Sequence, residues 1–138
     1  MNGKVFLDTN VFVYTQSKNE QEKRDIALNA LEKYDCHTST QVFNEVSNVM
    51  LKKLKMPISE VKEVITAIND SCEVNIITFE TVQKALDIKN KYDYSYYDSL
   101  ILATAVMGGC DYVCSEDLHD GQMIDNKVEI VNIFKRSI

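Results

Sequence analysis

A chain of 138 residues, 45% hydrophobic and 26% charged, has the size and composition of one ordinary globular domain and can bury a core without disulfide staples. Its formal net charge of −6 argues against broad electrostatic attachment to nucleic acid, which usually shows as a basic domain, but leaves room for acids clustered to hold cations. No apolar run approaches the roughly 20 residues that cross a bilayer, and Asp8 falls where a signal peptide would stay uncharged, so a cytoplasmic protein with no membrane partner is expected.

The first apolar run, Val5-Phe6-Leu7, stops abruptly on Asp8-Thr9-Asn10. Three consecutive apolar residues suit a central strand covered on both faces of a parallel sheet. Asp8 then stands at that strand's carboxyl end, where open parallel sheets bind their ligands. All three polar residues are also good N-caps for a following helix. Val11 to Tyr14 predicts a short helical turn and Gln16 to Lys23 a loop. Ala27, Ala30, Leu31 and Tyr34 then mark the buried face of a helix at i, i+3, i+4, i+7 spacing. Cys36 to Ser39 reads as a short strand, with Ser39-Thr40 as its end and the next N-cap.

From about Gln41 to Leu54, Val42, Val46, Val49 and Met50 trace the apolar sector of a helix. Glu45 lies on the rim of that sector, half-desolvated, where a first-turn acid would also be favoured by the helix dipole. Lys52, Lys53 and Lys55 suit the negative end of the helix and read as a solvated terminus rather than an RNA track. Met56-Pro57-Ile58 breaks the chain. Ser59 is expected to cap a helix carrying Val61, Val64, Ile65 and Ile68, completing a helical hairpin from Gln41 to Asp70. Val74 to Thr78 is expected as the third strand, and Glu80 to Tyr92 as a helix turning Val82, Ala85 and Leu86 inward.

Ser95-Tyr96-Tyr97-Asp98 opens the most hydrophobic helix, apolar nearly all round from Leu100 to Met107 and therefore buried. Asp98 sits in its first turn, where it could complete a capping box with Ser95. Gly108-Gly109 ends the helix. The fourth strand, Tyr112 to Cys114, stops on Ser115-Glu116-Asp117, with Leu118-His119-Asp120-Gly121 following. Val128 to Val131 is expected as a final edge strand. Cys36, Cys72, Cys110 and Cys114 form no CxxC pair and read as small core residues, and neither His37 nor His119 has a ligand-spaced partner. No linker or repeat divides the chain, so residues 1–138 are expected to form a single domain.

Strands alternating with helices imply a mainly parallel sheet with right-handed crossovers. That topology brings Asp8, Glu45, Asp98 and Asp117 to one edge. Unpaired carboxylates a few ångströms apart repel by up to a few kcal/mol per pair at an effective dielectric of about 20. No Lys or Arg lies within these four motifs to relieve them. Hard divalent cations with oxygen ligands, Mg²⁺ or Mn²⁺, are the natural compensation, and they can activate water and neutralise charge on a phosphodiester. Thr9 and Ser115 could hydrogen-bond the carboxylates from behind.

Leu7-Asp8-Thr9-Asn10, Asn44-Glu45-Val46, Tyr97-Asp98-Ser99-Leu100-Ile101-Leu102-Ala103 and Ser115-Glu116-Asp117-Leu118 together resemble, in order and spacing, the four acidic motifs of PIN domains. Their spacings resemble those typical of the small single-domain members, the VapC-type toxins of type II toxin–antitoxin pairs. The resemblance spans essentially the whole chain. It implies an α/β/α sandwich with a short, mainly parallel sheet, and a metal-dependent endoribonuclease leaving 5′-phosphate and 3′-hydroxyl ends. It makes Asp8 and Asp98 the principal metal ligands, Glu45 a ligand or water-orienting base, and Asp117 the acid that completes the cluster. Asp120 could replace or assist Asp117, and the sequence does not decide between them. The resemblance also implies a homodimer, an RNA substrate, and a small antitoxin protein that contacts part of the hairpin from Gln41 to Asp70.

Two rival classes remain. A phosphoaspartate domain also places acids at strand ends. However, Asn10 stands where a haloacid-dehalogenase-type phosphatase would have a second acid, and the paired acids and late Lys of a receiver domain are missing. A non-catalytic PIN-like module binding protein or RNA is the other, and the full set of acids speaks against it.

Overall fold

The computed structural model describes residues 3–138, so the first two residues of the expected 1–138 domain lie outside the described part. The strands are β1 (Lys4–Leu7), β2 (Asp35–Ser39), β3 (Glu73–Asn75), β4 (Tyr112–Cys114), β5 (Met123–Ile124) and β6 (Val128–Val131). The helices are α1 (Thr9–Tyr14), α2 (Gln21–Lys33), α3 (Thr40–Lys52), α4 (Ile58–Ser71), α5 (Phe79–Tyr92) and α6 (Tyr96–Met107). The sheet runs in the order β3-β2-β1-β4-β6-β5, parallel throughout except that β5 is antiparallel to β6.

β1 lies centrally, flanked by β2 and β4, with Val5 opposite both Cys36 and Tyr112. Val5, Phe6 and Leu7 are all fully buried although successive side chains point to opposite faces. Both faces of the sheet are therefore covered, the three-layer α/β/α arrangement expected for this chain. α6 buries every residue from Ser99 to Val106, packs most extensively against α5, and also touches β2 and β4. α3 packs against α1, α4 and β2.

Several local expectations need correction. Val128–Val131 is not an edge strand, because the two-residue strand β5 pairs on its outer side. The turn between them places Asp125 and Asn126 at φ 52° and 55°, the left-handed pair of a tight hairpin that Asp and Asn tolerate. The third strand is Glu73–Asn75, not Val74 to Thr78. Asn75 Nδ2 donates to Thr38 O and Ile77 N donates to Thr40 Oγ1, so side-chain bonds take over where the ladder stops. Pro57 rather than Ser59 occupies the N-cap of α4, and the helix begins at Ile58. In α5 the buried stripe is Thr81, Ala85 and Ile88, which leaves Leu86, one residue round the helix, half-exposed. All four cysteines are buried free thiols. No helix among the described residues is long and apolar enough to cross a membrane.

Candidate active site

Each acid reaches the same place because a different element ends or begins there. Asp8 leaves β1 in extended conformation and N-caps α1, its Oδ1 accepting from Thr9 N at 2.7 Å. Its Oδ2 accepts from the Ser115 hydroxyl, just beyond the neighbouring strand β4, at 2.8 Å. Glu45 stands on α3, which starts where β2 ends because Ser39 Oγ accepts from Val42 N. Glu45 Oε1 accepts from Thr9 Oγ1 at 2.6 Å, and its Oε2 from Gln41 Nε2, one helical turn earlier, at 2.9 Å. The same Gln41 amide donates to Tyr97 O, tying α3 to the first turn of α6.

Asp98 lies in that first turn. Its backbone N–H donates to Ser95 Oγ at 3.1 Å, which is half of a capping box. The reciprocal bond is not made, and among the described residues the Asp98 carboxylate has no hydrogen-bond donor. Asp117 follows β4. Its N–H donates to Ser115 Oγ at 3.2 Å and its Oδ2 accepts from Asn10 Nδ2 at 3.1 Å.

The four carboxylates line one cavity of about 510 Å³, together with Thr9, Asn10, Val13, Tyr14, Asn48, Val49, Lys53, Leu54 and Ile101. Asp120 is held elsewhere: its carboxylate accepts from Asn132 N at 2.9 Å and from Arg136 Nε at 3.1 Å, and it does not line the cavity. Those bonds, the Asn132 amide first, hold its pKa below the ordinary carboxylate value. Of the two acids after β4, Asp117 is the one beside the other three.

The electrostatics match the crowding. Burial pushes the Asp8 carboxyl up to about 6. The Thr9 and Ser115 hydrogen bonds pull in the opposite direction, while the charges of Glu45 and Asp98 add to the rise. A buried acid between two others is costly when ionised.

A hard divalent cation fits the chemistry of this donor set, which is all oxygen, mutually repelling and open on one side. Among the described residues, no three His, Cys, Asp or Glu side chains converge closely enough to hold a metal ion as they stand. Mg²⁺ is usually held by one or two carboxylates with waters and substrate phosphate completing the shell, so a three-acid cage is not required. Asp8 and Asp98 would provide such a pair. Asn10 Oδ1 is buried in the cavity wall without a partner.

Some residues of the site and its surroundings escape sequence reasoning. Lys53, which reads as a solvated helix end, is the C-cap of α3 and borders the acids. Gln41 could have been inferred from its i, i+4 relation to Glu45. Asn10, two residues after Asp8, gives no sequence signal that it would hold Asp117.

The fold is similar to several solved structures. A toxin–antitoxin complex from Klebsiella pneumoniae superimposes with a TM-score of 0.72 at 21% identity, covering 94% of this chain and 97% of that one. VapC20 of Mycobacterium tuberculosis, described as a Sarcin-Ricin loop cleaving toxin, gives 0.66 at 16% identity, covering 82% and 91%. VapBC2 from Rickettsia felis, bound to a DNA fragment from its promoter, gives 0.61 at 14% identity, covering 83% and 88%. At these identities the likeness concerns the fold. A search of curated proteins finds no sequence match. The PIN domain family model matches residues 5–120, a span that contains all four acids, all of β1 but Lys4, and the whole of β2, β3 and β4, and the chain therefore belongs to the PIN domain family.

Proposed function

We propose that this PIN domain protein is an endoribonuclease that hydrolyses RNA phosphodiester bonds with the help of Mg²⁺ or Mn²⁺, and that it is the toxin of a toxin–antitoxin pair. The observation that carries this reading is the convergence of Asp8, Glu45, Asp98 and Asp117 on one cavity from four separate parts of the chain. A bound divalent cation supplies Lewis acidity for the attacking water and neutralises charge developing on the phosphodiester.

The protein's own groups do the rest. Asp8 and Asp98 would hold the cation. The hydroxyls of Ser115 and Thr9 fix the rotamers of Asp8 and Glu45, so neither carboxylate has to reorganise during reaction. Glu45, with both oxygens already oriented, accepts the proton of the attacking water. The water oxygen bonds to phosphorus as the bond from phosphorus to the 3′ oxygen breaks, and the departing 3′ oxygen takes a proton from solvent, to which Glu45 returns the one it accepted, leaving a 5′-phosphate and a 3′-hydroxyl. Asp117, the most exposed of the four, approaches from the mouth, and Lys53, the one cation of the cavity wall among the described residues, offers its charge to a backbone phosphate.

Toxin–antitoxin complexes among the structural neighbours support a small antitoxin protein as partner, and we place part of its contact on the α3–α4 hairpin. We also propose that the active form is a homodimer. Cellular RNA incubated with purified protein and Mn²⁺ tests the reaction: cleavage that stops with chelator and with Asp98→Asn supports it. RNA bound but never cut would identify a non-catalytic module instead. Growth arrest on induced expression in a bacterial host, relieved by a co-expressed small partner, tests the toxin assignment; harmless expression would count against it.

A further inference from the structure

Directly beyond β4, three consecutive side chains are tied to α1 and its N-cap, and the middle one reaches α2 as well. Ser115 donates to Asp8, Asp117 accepts from Asn10, and Glu116 between them turns away from the cavity. Glu116 Oε1 accepts from the Tyr14 hydroxyl at 2.6 Å and its Oε2 from Lys23 Nζ at 2.5 Å. Lys23 Nζ also donates to Tyr14 Oη at 3.1 Å, closing a three-membered ring of hydrogen bonds. The ammonium stands 4.8 Å from the centroid of the Tyr14 ring and 5.8 Å from that of Phe134, and the two rings meet edge to face at 4.9 Å. About a third of the Lys23 side chain and a quarter of that of Glu116 remain exposed, so the pair is half-buried.

This knot is unlike the protein's other ion pairs in one respect. Tyr14 is at once a member of it and a wall of the acid cavity. It joins α1, α2, the segment after β4 and the C-terminal segment at Phe134, whereas Lys84 and Lys91 fasten α5 to the Asp125 turn, away from the acids. The Lys23 ammonium reaches one carboxylate oxygen and one phenol oxygen together while standing near both rings of the aromatic pair.

We infer that Tyr14, Lys23 and Glu116 are positioning residues, a clamp that fixes the segment after β4 so that Asp117 faces the acid cavity while the charge of its neighbour Glu116 is neutralised away from it. The inference deepens the nuclease reading and rests on it for its kinetic consequence. Freed of the clamp, residues 115–117 keep the backbone bond from Ser115 N to Val131 O, the Ser115 hydroxyl bonds and the Asn10 bond, and the Glu116 side chain has no anchor of its own. Asp117, half in solvent already, then samples positions that do not meet Asp8 and Asp98. Lys53, the phosphate contact, is untouched, so binding is spared while turnover falls.

The test compares Glu116→Gln, Lys23→Met, Lys23→Arg and Tyr14→Phe with the parent in the full chain. Amide hydrogen exchange over residues 115–118 is the readout that needs no metal and no substrate. Glu116→Gln and Lys23→Met are expected to speed it about tenfold while α3 and α6 exchange as in the parent. With RNA and Mn²⁺ the same two variants are expected to lose about tenfold in kcat with KM within about twofold, and Lys23→Arg, which keeps the charge, to recover most of the loss. Tyr14→Phe keeps the ring packing and loses only the hydroxyl, so it is expected to give an intermediate effect without a change of fold. Exchange over 115–118 equal to the parent's in Glu116→Gln and Lys23→Met overturns the clamp. So does a loss of activity that follows thermal stability alone across the four variants. If the parent itself cuts no RNA, the nuclease reading fails, and the exchange comparison still decides whether the clamp exists.

Discussion

Ser115 gives its hydroxyl proton to Asp8 at 2.8 Å across 107 residues of chain, joining the ends of two adjacent parallel strands at the point where both turn into the cavity. The bond is buried, so its loss exposes the cost of an unpaired carboxylate oxygen. Ser115→Ala is expected to lower unfolding free energy by about 1–3 kcal/mol at neutral pH without metal. Chemical denaturation measures this directly. A variant as stable as the parent would show that the hydroxyl contributes nothing to the site.

Asp8 makes a second demand on stability. Its carboxyl is pushed from an ordinary 3.8 up to about 6 in the folded protein, chiefly by burial. Between those values the folded state binds more protons than the unfolded chain. Stability contributed by Asp8 therefore falls as pH rises from about 4 to about 6 and stays at its lower level above that window. The penalty at neutral pH is on the order of 3 kcal/mol. Asp8→Asn, which never ionises, is expected to be more stable than the metal-free parent at pH 7 and to lose this pH dependence. Denaturant midpoints from pH 4 to 8 test it, and an Asp8→Asn curve that parallels the parent's would contradict the shift.

The two acids after β4 should separate by phenotype. Asp117→Asn removes a charge from the cavity and is expected to reduce cleavage at least about tenfold with little effect on folding. Asp120→Asn weakens the bonds to Asn132 and Arg136 and is expected to cost about 1 kcal/mol of stability while cleavage at low temperature stays near the parent's. Parallel thermal melts and RNA cleavage rates distinguish them, and the reverse pattern would make Asp120 the functional acid.

Lys53 is the cavity's cation. If it holds a backbone phosphate away from the bond that breaks, Lys53→Met raises KM several-fold and leaves kcat alone, the signature of lost uniform binding. The effect should shrink as ionic strength rises, because screening already weakens an exposed charge contact. Initial rates at two salt concentrations check both statements; a fall in kcat alone would move Lys53 into the chemistry.

Much of this architecture was legible because it obeys local rules. Val5 to Leu7 had to be a doubly covered strand, and the all-apolar α6 had to be central. Asp8 and Asp117 follow strand ends and Asp98 sits in a first helical turn, places that a reader can locate from caps and periodicity, while Glu45 lies in the second turn of α3 on the rim of its apolar sector. What escaped depends on tertiary contact. The position of β6 is set by β5, too short at two residues to register as a strand and paired only through the Asp125-Asn126 turn. The choice of Asp117 over Asp120 rests on Asn132 and Arg136, which claim Asp120 from more than ten residues away. Lys53 was legible as a helix-terminal cation, but its place beside the acids follows from where α3 ends relative to β1. His37 shows the same limit: it is buried on β2 with neither ring nitrogen hydrogen-bonded, a feature that spacing does not reveal.

The central claim is that acids from four parts of the chain share one divalent cation site. Crystals soaked in Mn²⁺ and measured at the manganese absorption edge test it most directly. The account predicts an anomalous peak within bonding distance of Asp8 and Asp98 that disappears in Asp98→Asn crystals. A parent cavity with no such peak, or manganese bound only at a different group of residues, would contradict it.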